Sequence, residues 1–220
     1  MTIINVVRSK RKTIAMYVPD AVTVQVRAPS HTPQKIIDEF LQKHRGWIIK
    51  QQTNVKIKQL KQKKFVDGEE FAYLGQAVPL KIHKIISPPL SLCDGSFNLS
   101  QTHLAKAKSL FISWYKKQAA KIITERTKYF AEKYDLKYKG LRVTDAKTRW
   151  GSCSRSGKLS FSLKLVMAPL PVVDYVVIHE LSHTIHHNHS QRFWETVATF
   201  CPDYKEKRKW LKIQGHTLSL

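Results

Sequence analysis

Residues 179–189 read His-Glu-Leu-Ser-His-Thr-Ile-His-His-Asn-His and end a stretch rich in Val172, Val173, Val176, Val177 and Leu181. That stretch reads as a helix, with Pro169 and Pro171 near its start, where proline is well tolerated. A helix so apolar is buried, and polar side chains on it are costly unless something pairs them. His179 and His183 project from one face a turn apart, with Glu180 beside them. Two imidazoles at that spacing can grip one metal ion while the carboxylate serves as general base, the H-E-x-x-H arrangement. With 10 His and 8 Glu in 220 residues, random order would produce about 0.02 such matches. Histidines merely bonded to backbone in a core would leave the intervening Glu180 unexplained. The pattern implies a metal-dependent hydrolase.

A catalytic zinc normally takes three protein ligands and keeps a fourth position for water. On a continuous helix His187 lies about 12 Å from His179, too far to share an ion with bonds of about 2 Å. His186 fails similarly. Asn188 tolerates the left-handed conformation that ends helices, and Ser190 is a good N-cap for a following helix. A chain turning at Asn188 swings His189 back as third ligand, leaving His186 and His187 as surface or supporting residues. Glu195 and Glu206 are the remaining carboxylate candidates. Three histidines leave no position for Cys153, and Tyr204 reads as a packed aromatic rather than an oxyanion donor.

The chain carries 38 Lys+Arg against 16 Asp+Glu, a formal charge of +22. Residues 1–110 hold 18 basic and 7 acidic groups and residues 111–220 hold 20 and 9, so each half is at +11 and no basic tail accounts for the excess. Such a surface favours sequence-blind contact with phosphates, so non-specific nucleic acid is a possible partner. Lys10–Lys12, Lys56–Lys64 and Lys205–Lys209 are the candidate clusters. Solubility alone is the plainer use of the charge. Cys93, Cys153 and Cys201 are odd in number and far apart, which argues against a disulfide framework and for a reducing compartment. No apolar stretch reads as a signal peptide or a membrane span. The expectation is a cytoplasmic protein with no membrane partner.

Along the chain, Val6-Val7, Ile14–Val18 and Val22–Arg27 read as short strands. From Pro33 the period becomes helical and predicts one long helix to about Lys64. Phe71–Ile86 reads as strands turning at Gly75-Gln76, and Pro88-Pro89 and Asp94-Gly95 mark loops. A second long helix is expected from His103 to Tyr134, then strands near Leu141–Asp145 and Lys158–Val166. Between them Arg149-Trp150-Gly151-Ser152-Cys153 is placed to flank a cleft over the motif helix. Arg149 can hold a carboxylate or phosphate in bidentate fashion. Trp150 can stack on a substrate ring, or simply pack in the core beside a Gly-Ser turn.

Several of these stretches together resemble the YgjP-like family of metal-dependent hydrolases, which are related to the WLM and SprT-type zincin proteases. The resemblance rests on Thr148–Cys153, Leu165–Pro169, Asp174–Leu181, Asn188–Ser190, Phe193-Trp194 and Pro202–Tyr204. Weaker matches at Arg27–Pro29, Gly46-Trp47, Asp67-Gly68 and Leu74-Gly75 extend it over nearly the whole chain. It implies that His179, His183 and His189 bind one zinc per chain and that Glu180 is catalytic. The spacing also matches metzincins, but those have glycine where this chain has His186 and a methionine turn downstream, and no Met follows Met167. The expected fold is α+β: a β-rich N-terminal region with one long helix over residues 1–100, and a zincin-like domain over 101–220 with a short antiparallel sheet above the motif helix.

Zinc peptidase is the leading function, with a peptide as substrate. A metal-dependent nucleotide or phosphoester hydrolase is the alternative, favoured by the charge and Arg149 but weakened because Mg²⁺ prefers oxygen ligands to imidazole. A nucleic-acid-binding protein with structural zinc ranks third, since Glu180 would then have no task.

Overall fold

In the computed structural model, which describes residues 2–60 and 63–220, strands form where alternating apolar residues expect them. The first three are β1 (Ile3–Ser9), β2 (Ala15–Tyr17) and β3 (Thr23–Pro29). They make one sheet in the order β1-β3-β2, with β1 parallel and β2 antiparallel to β3. Val24, Val26 and Ala28 alternate onto the buried face of β3. Ile37 and Leu41 of α1 (Gln34–Lys43) and Ile48 of α2 (Arg45–Leu60) complete that core. The single helix expected from Pro33 is therefore two. It breaks at His44, whose backbone leaves the helical region (φ −106°, ψ 14°) while its Nδ1 lies 2.7 Å from the Phe40 carbonyl. The expected basic helix end Lys56–Lys64 falls partly outside the described residues.

The chain divides into compact units after Gln62, not near residue 100. The reason is the hydrophobic core of residues 63–220. Strands β4 (Glu70–Tyr73), β5 (Gln76–His83), β6 (Leu90–Cys93) and β7 (Ser96–Ser100) form a sheet in the order β4-β5-β7-β6. Its buried Phe71, Leu80, Phe97 and Leu99 pack on the long helix α3 (Ala107–Lys133) in one continuous cluster. The Phe71 and Phe111 rings stack at 4.2 Å, and the Tyr115 hydroxyl donates to the Ala72 carbonyl at 2.6 Å. Burying aromatics of this size is the largest apolar gain available to the unit, so the sheet cannot belong elsewhere. Asp94-Gly95, expected as a loop, is the two-residue turn of the β6–β7 hairpin, with both residues at positive φ.

α3 follows a short 3₁₀ turn (Gln101–Lys106) and buries Phe111, Tyr115, Ala119, Ile123 and Thr127, one residue per turn along one stripe. After it come β8 (Gly140–Thr144), β9 (Gly151–Cys153) and β10 (Lys158–Ser162). This sheet is short, as expected, but mixed rather than antiparallel: β10 runs parallel to β8 and antiparallel to β9. The expected strand beyond Ser162 is a 3₁₀ turn, Leu163–Met167, which leads into the motif helix α4 (Leu170–Ser182). The chain ends with α5 (Gln191–Phe200) and α6 (Tyr204–Gln214). The architecture is α+β, and no helix among the described residues is long and apolar enough to cross a membrane.

Two attachments fix α4. Arg126 of α3 grips Asp174 of α4 bidentately, Nε donating at 2.6 Å and Nη2 at 2.8 Å. The β4–β5 turn docks on the segment entering α4: the Leu74 N–H donates to the Val166 carbonyl at 2.8 Å and the Gly75 N–H to that of Met167 at 3.2 Å. Gly75 has φ +82°, and a Cβ there would meet Pro169 at 2.8 Å. Gly75→Ala should therefore lower stability by about 1–3 kcal/mol, through left-handed strain and displacement of the turn. A urea or thermal melt checks this, and an unchanged midpoint would mean that the turn does not brace the helix.

Candidate metal centre

α4 is buried along most of its length: Val172, Val173, Tyr175, Val176, Val177, Ile178 and Leu181 are all core residues. Near its C-terminal end the same helix presents half-buried His179 and buried Glu180. It stops at Ser182, with His183 as C-cap, and the chain turns at once through Thr184 and Ile185. The return expected at Asn188 thus begins five residues earlier and uses no left-handed residue there, so no continuous helix separates His179 from His187. Ser190 caps α5 with extended backbone, though without a side-chain bond.

The turn brings His189 back to the helix. Ligand-capable atoms of His179, His183 and His189 all lie within 4.8 Å of one another, and the Nε2 atoms of His179 and His189 are 3.1 Å apart. An ion held tetrahedrally at about 2.0–2.1 Å keeps its nitrogens roughly 3.3 Å apart, so this donor set can hold one. His183 Nδ1 lies 2.9 Å from the His186 carbonyl, and donating there leaves Nε2 with its lone pair toward the centre. His186 contributes through its backbone; neither it, His187, Cys153, Glu195 nor Glu206 joins a metal-capable group among the described residues.

Aromatic packing does what hydrogen bonds do elsewhere. Phe193, fully buried, lies against all three imidazoles: stacked on His183 at 4.4 Å and edge-on to His179 and His189 at 4.9 Å each. Trp194 stacks on His189 at 5.6 Å, and Tyr204 on Trp194 at 5.5 Å. His179 Nδ1 is buried with no hydrogen-bond partner, so its ring is oriented by Tyr175, Phe193 and Trp194. Tyr204 is a packed aromatic, as expected. The floor at Phe193 was invisible to residue spacing, although Phe193-Trp194 did carry part of the family resemblance. Its only other trace is an apolar residue in the first turn after Ser190.

Electrostatics suit cation binding. Burial, then the neighbouring His183 and His189, hold His179 down to about 3, so it stays neutral and free to donate a lone pair. His183 is lowered too, chiefly by burial. Burial pushes Glu180 up to about 8, against the opposing charge of Arg149. Gly151 of β9 lies directly against this carboxylate, where a Cβ would meet Glu180 Oε1 and Cγ at 2.6 Å. Only glycine admits this approach. Arg149 is exposed two residues earlier, whereas half-buried Trp150 packs on Gly215, where a Cβ would meet its Cζ2 at 2.8 Å.

Replacing His179, His183 or His189 with Ala should reduce bound metal from about one ion per chain to near zero, while His186→Ala and His187→Ala retain it. Elemental analysis of the five purified variants is the check. Metal kept by His189→Ala would remove that residue from the ligand set.

A family model described as YgjP-like, metallopeptidase domain, matches residues 12–214. No curated protein and no solved structure matches the chain. A three-histidine group beside a buried glutamate is what a metal-dependent hydrolase requires, and by the span of the match the chain belongs to the YgjP-like metallopeptidase-domain family.

Proposed function

We propose that the protein is a zinc-dependent peptidase in which His179, His183 and His189 hold the ion and Glu180 is the general base. The observation that carries the peptide reading is the open edge of β9. The backbone N–H groups of Ser154 and Ser162 donate to the Lys158 and Trp150 carbonyls, at 2.9 Å each, and Ser152 faces Ser160. Residues 150, 152 and 154 thus bond to β10, and by antiparallel alternation Gly151 and Cys153 turn their N–H and C=O groups outward. No strand takes up that edge among the described residues. An extended peptide can add to it by backbone hydrogen bonds, and Gly151 sets that edge within contact of Glu180.

A zinc ion held by His179, His183 and His189 would lower the pKa of water, polarise a carbonyl oxygen and by its charge favour the ionised form of Glu180. The chain does the rest. β9 aligns the substrate backbone, Gly151 lets that strand lie against Glu180, and the Glu180 carboxylate takes a proton from the attacking water and returns it to the leaving amine. Phe193 and Trp194 hold the imidazoles still, so little reorganisation accompanies the reaction. Zinc fits better than magnesium because all three donors are imidazole nitrogens. Three free cysteines, at Cys93, Cys153 and Cys201, agree with a cytoplasmic setting. A second reading, hydrolysis of a nucleoside triphosphate, is supported by exposed Arg149 and the +22 charge.

Turnover of an unstructured protein such as casein, against that of a nucleoside triphosphate, decides between them. Glu180→Gln should keep fold and metal while losing peptide hydrolysis by several orders of magnitude. Gly151→Ala should also keep the metal but lose roughly 100-fold, because the added methyl displaces the carboxylate. Zinc lost from Glu180→Gln would make that residue a ligand and remove the base from the mechanism.

A further inference from the structure

Arg208 lies over an aromatic ring of the centre and Arg149 precedes the strand that touches Glu180, and neither forms an ion pair with a carboxylate among the described residues. Arg208 sits one turn after Tyr204 on α6, its guanidinium carbon 4.7 Å from the centre of the Trp194 ring. That ring is 5.6 Å from His189 and 5.7 Å from His179, centre to centre. Arg149 comes from a different element, two residues before the Gly151 backbone that touches Glu180. Both side chains are exposed, and neither forms an ion pair among the described residues. Lys207, beside Arg208 on α6, is by contrast paired with Asp203.

A guanidinium presents its donors as a planar fork that matches a carboxylate. Stacking on Trp194 accounts for part of Arg208's placement, but Arg149 stacks on no ring among the described residues. We propose that the substrates of this centre are acidic peptides, Arg149 and Arg208 each taking the carboxylate of an Asp or Glu side chain that flanks the scissile bond. This rests on the peptidase reading above. A phosphate group is less well served. The two arginines come from separate elements, Arg208 from α6 and Arg149 from the segment before β9, instead of forming one cradle. The +22 charge of the whole chain draws acidic segments toward the site in the same sense.

The test uses the zinc-loaded full chain and peptides of one sequence that carry Glu, Gln or Lys on either side of the cleaved bond. The Glu peptide should exceed the Gln peptide in kcat/KM by roughly 10- to 100-fold, the worth of a charge-assisted hydrogen bond, and lose that lead as salt is added. Arg149→Gln and Arg208→Gln should each cost the Glu peptide more than the Gln peptide. Arg208→Glu should turn the preference toward Lys, which no purely packing role of Arg208 predicts, and Arg208→Lys should keep most of the original preference without the planar stack. Cleavage of all three peptides at equal rates, or variant losses equal across them, overturns the inference and leaves the peptidase reading standing. If none is cut, anisotropy of the same labelled peptides on the zinc-loaded Glu180→Gln variant decides: tighter binding of the Glu peptide supports the arginine pair, and equal binding overturns it. Turnover of nucleoside triphosphate with neither cleavage nor binding of peptides overturns both readings.

Discussion

Holding half-buried His179 and His183, exposed His189 and buried Glu180 together at the end of an otherwise apolar helix is the demand that the rest of residues 63–220 meets. A polar group stripped of water costs several kcal/mol unless something replaces the water. The replacement here comes mostly from aromatic faces and one backbone carbonyl. Phe193 lies against all three rings, Trp194 covers His189, and the His186 carbonyl holds His183. Only convergent lone pairs remain, and a cation is what satisfies them. The large core around α3 then acts as a foundation, because α4 must be immobile if ligand nitrogens are to stay within a few tenths of an ångström. Arg126–Asp174 and the Gly75 turn tie it from two directions.

The same burial separates the roles of neighbouring residues. His179 and Glu180 are adjacent on α4, yet desolvation drives the first toward about 3 and the second toward about 8. Each is pushed toward its uncharged form. Under the proposed reading, exposed Arg149 and Arg208, which form no ion pair among the described residues, and the +22 charge would favour anionic side chains at the rim of the site. In that reading substrate choice would lie with the rim of the site, and the histidines and Glu180 would set the chemistry.

How much of this the amino acids disclosed depended on distance along the chain. His179, Glu180 and His183 were legible because their relation is one helical turn, a local regularity. His189 joins the metal-capable group by another route than the one expected: turn chemistry pointed to Asn188, whereas the helix ends at Ser182 and bends without a left-handed residue. Phe193 was missed because ring packing between two helices leaves no periodic mark. The β6–β7 hairpin was missed although Asp94-Gly95 lies between Leu90/Leu92 and Phe97/Leu99, an alternation split by a turn dipeptide. The boundary at Gln62 escaped because it is set by Phe71 and Phe97 meeting Phe111, contacts between distant residues. The break at His44 carries no proline, and the nearest glycine, Gly46, lies inside α2, so its period reads straight through.

X-ray absorption at the zinc edge of the loaded protein tests the central claim most directly, because it reports the donor atoms themselves. Three imidazole nitrogens at about 2.0–2.1 Å with one further light atom is the predicted shell. A sulfur scatterer at about 2.3 Å, which would bring Cys153 into the site, or a shell with fewer than three imidazoles, would contradict it.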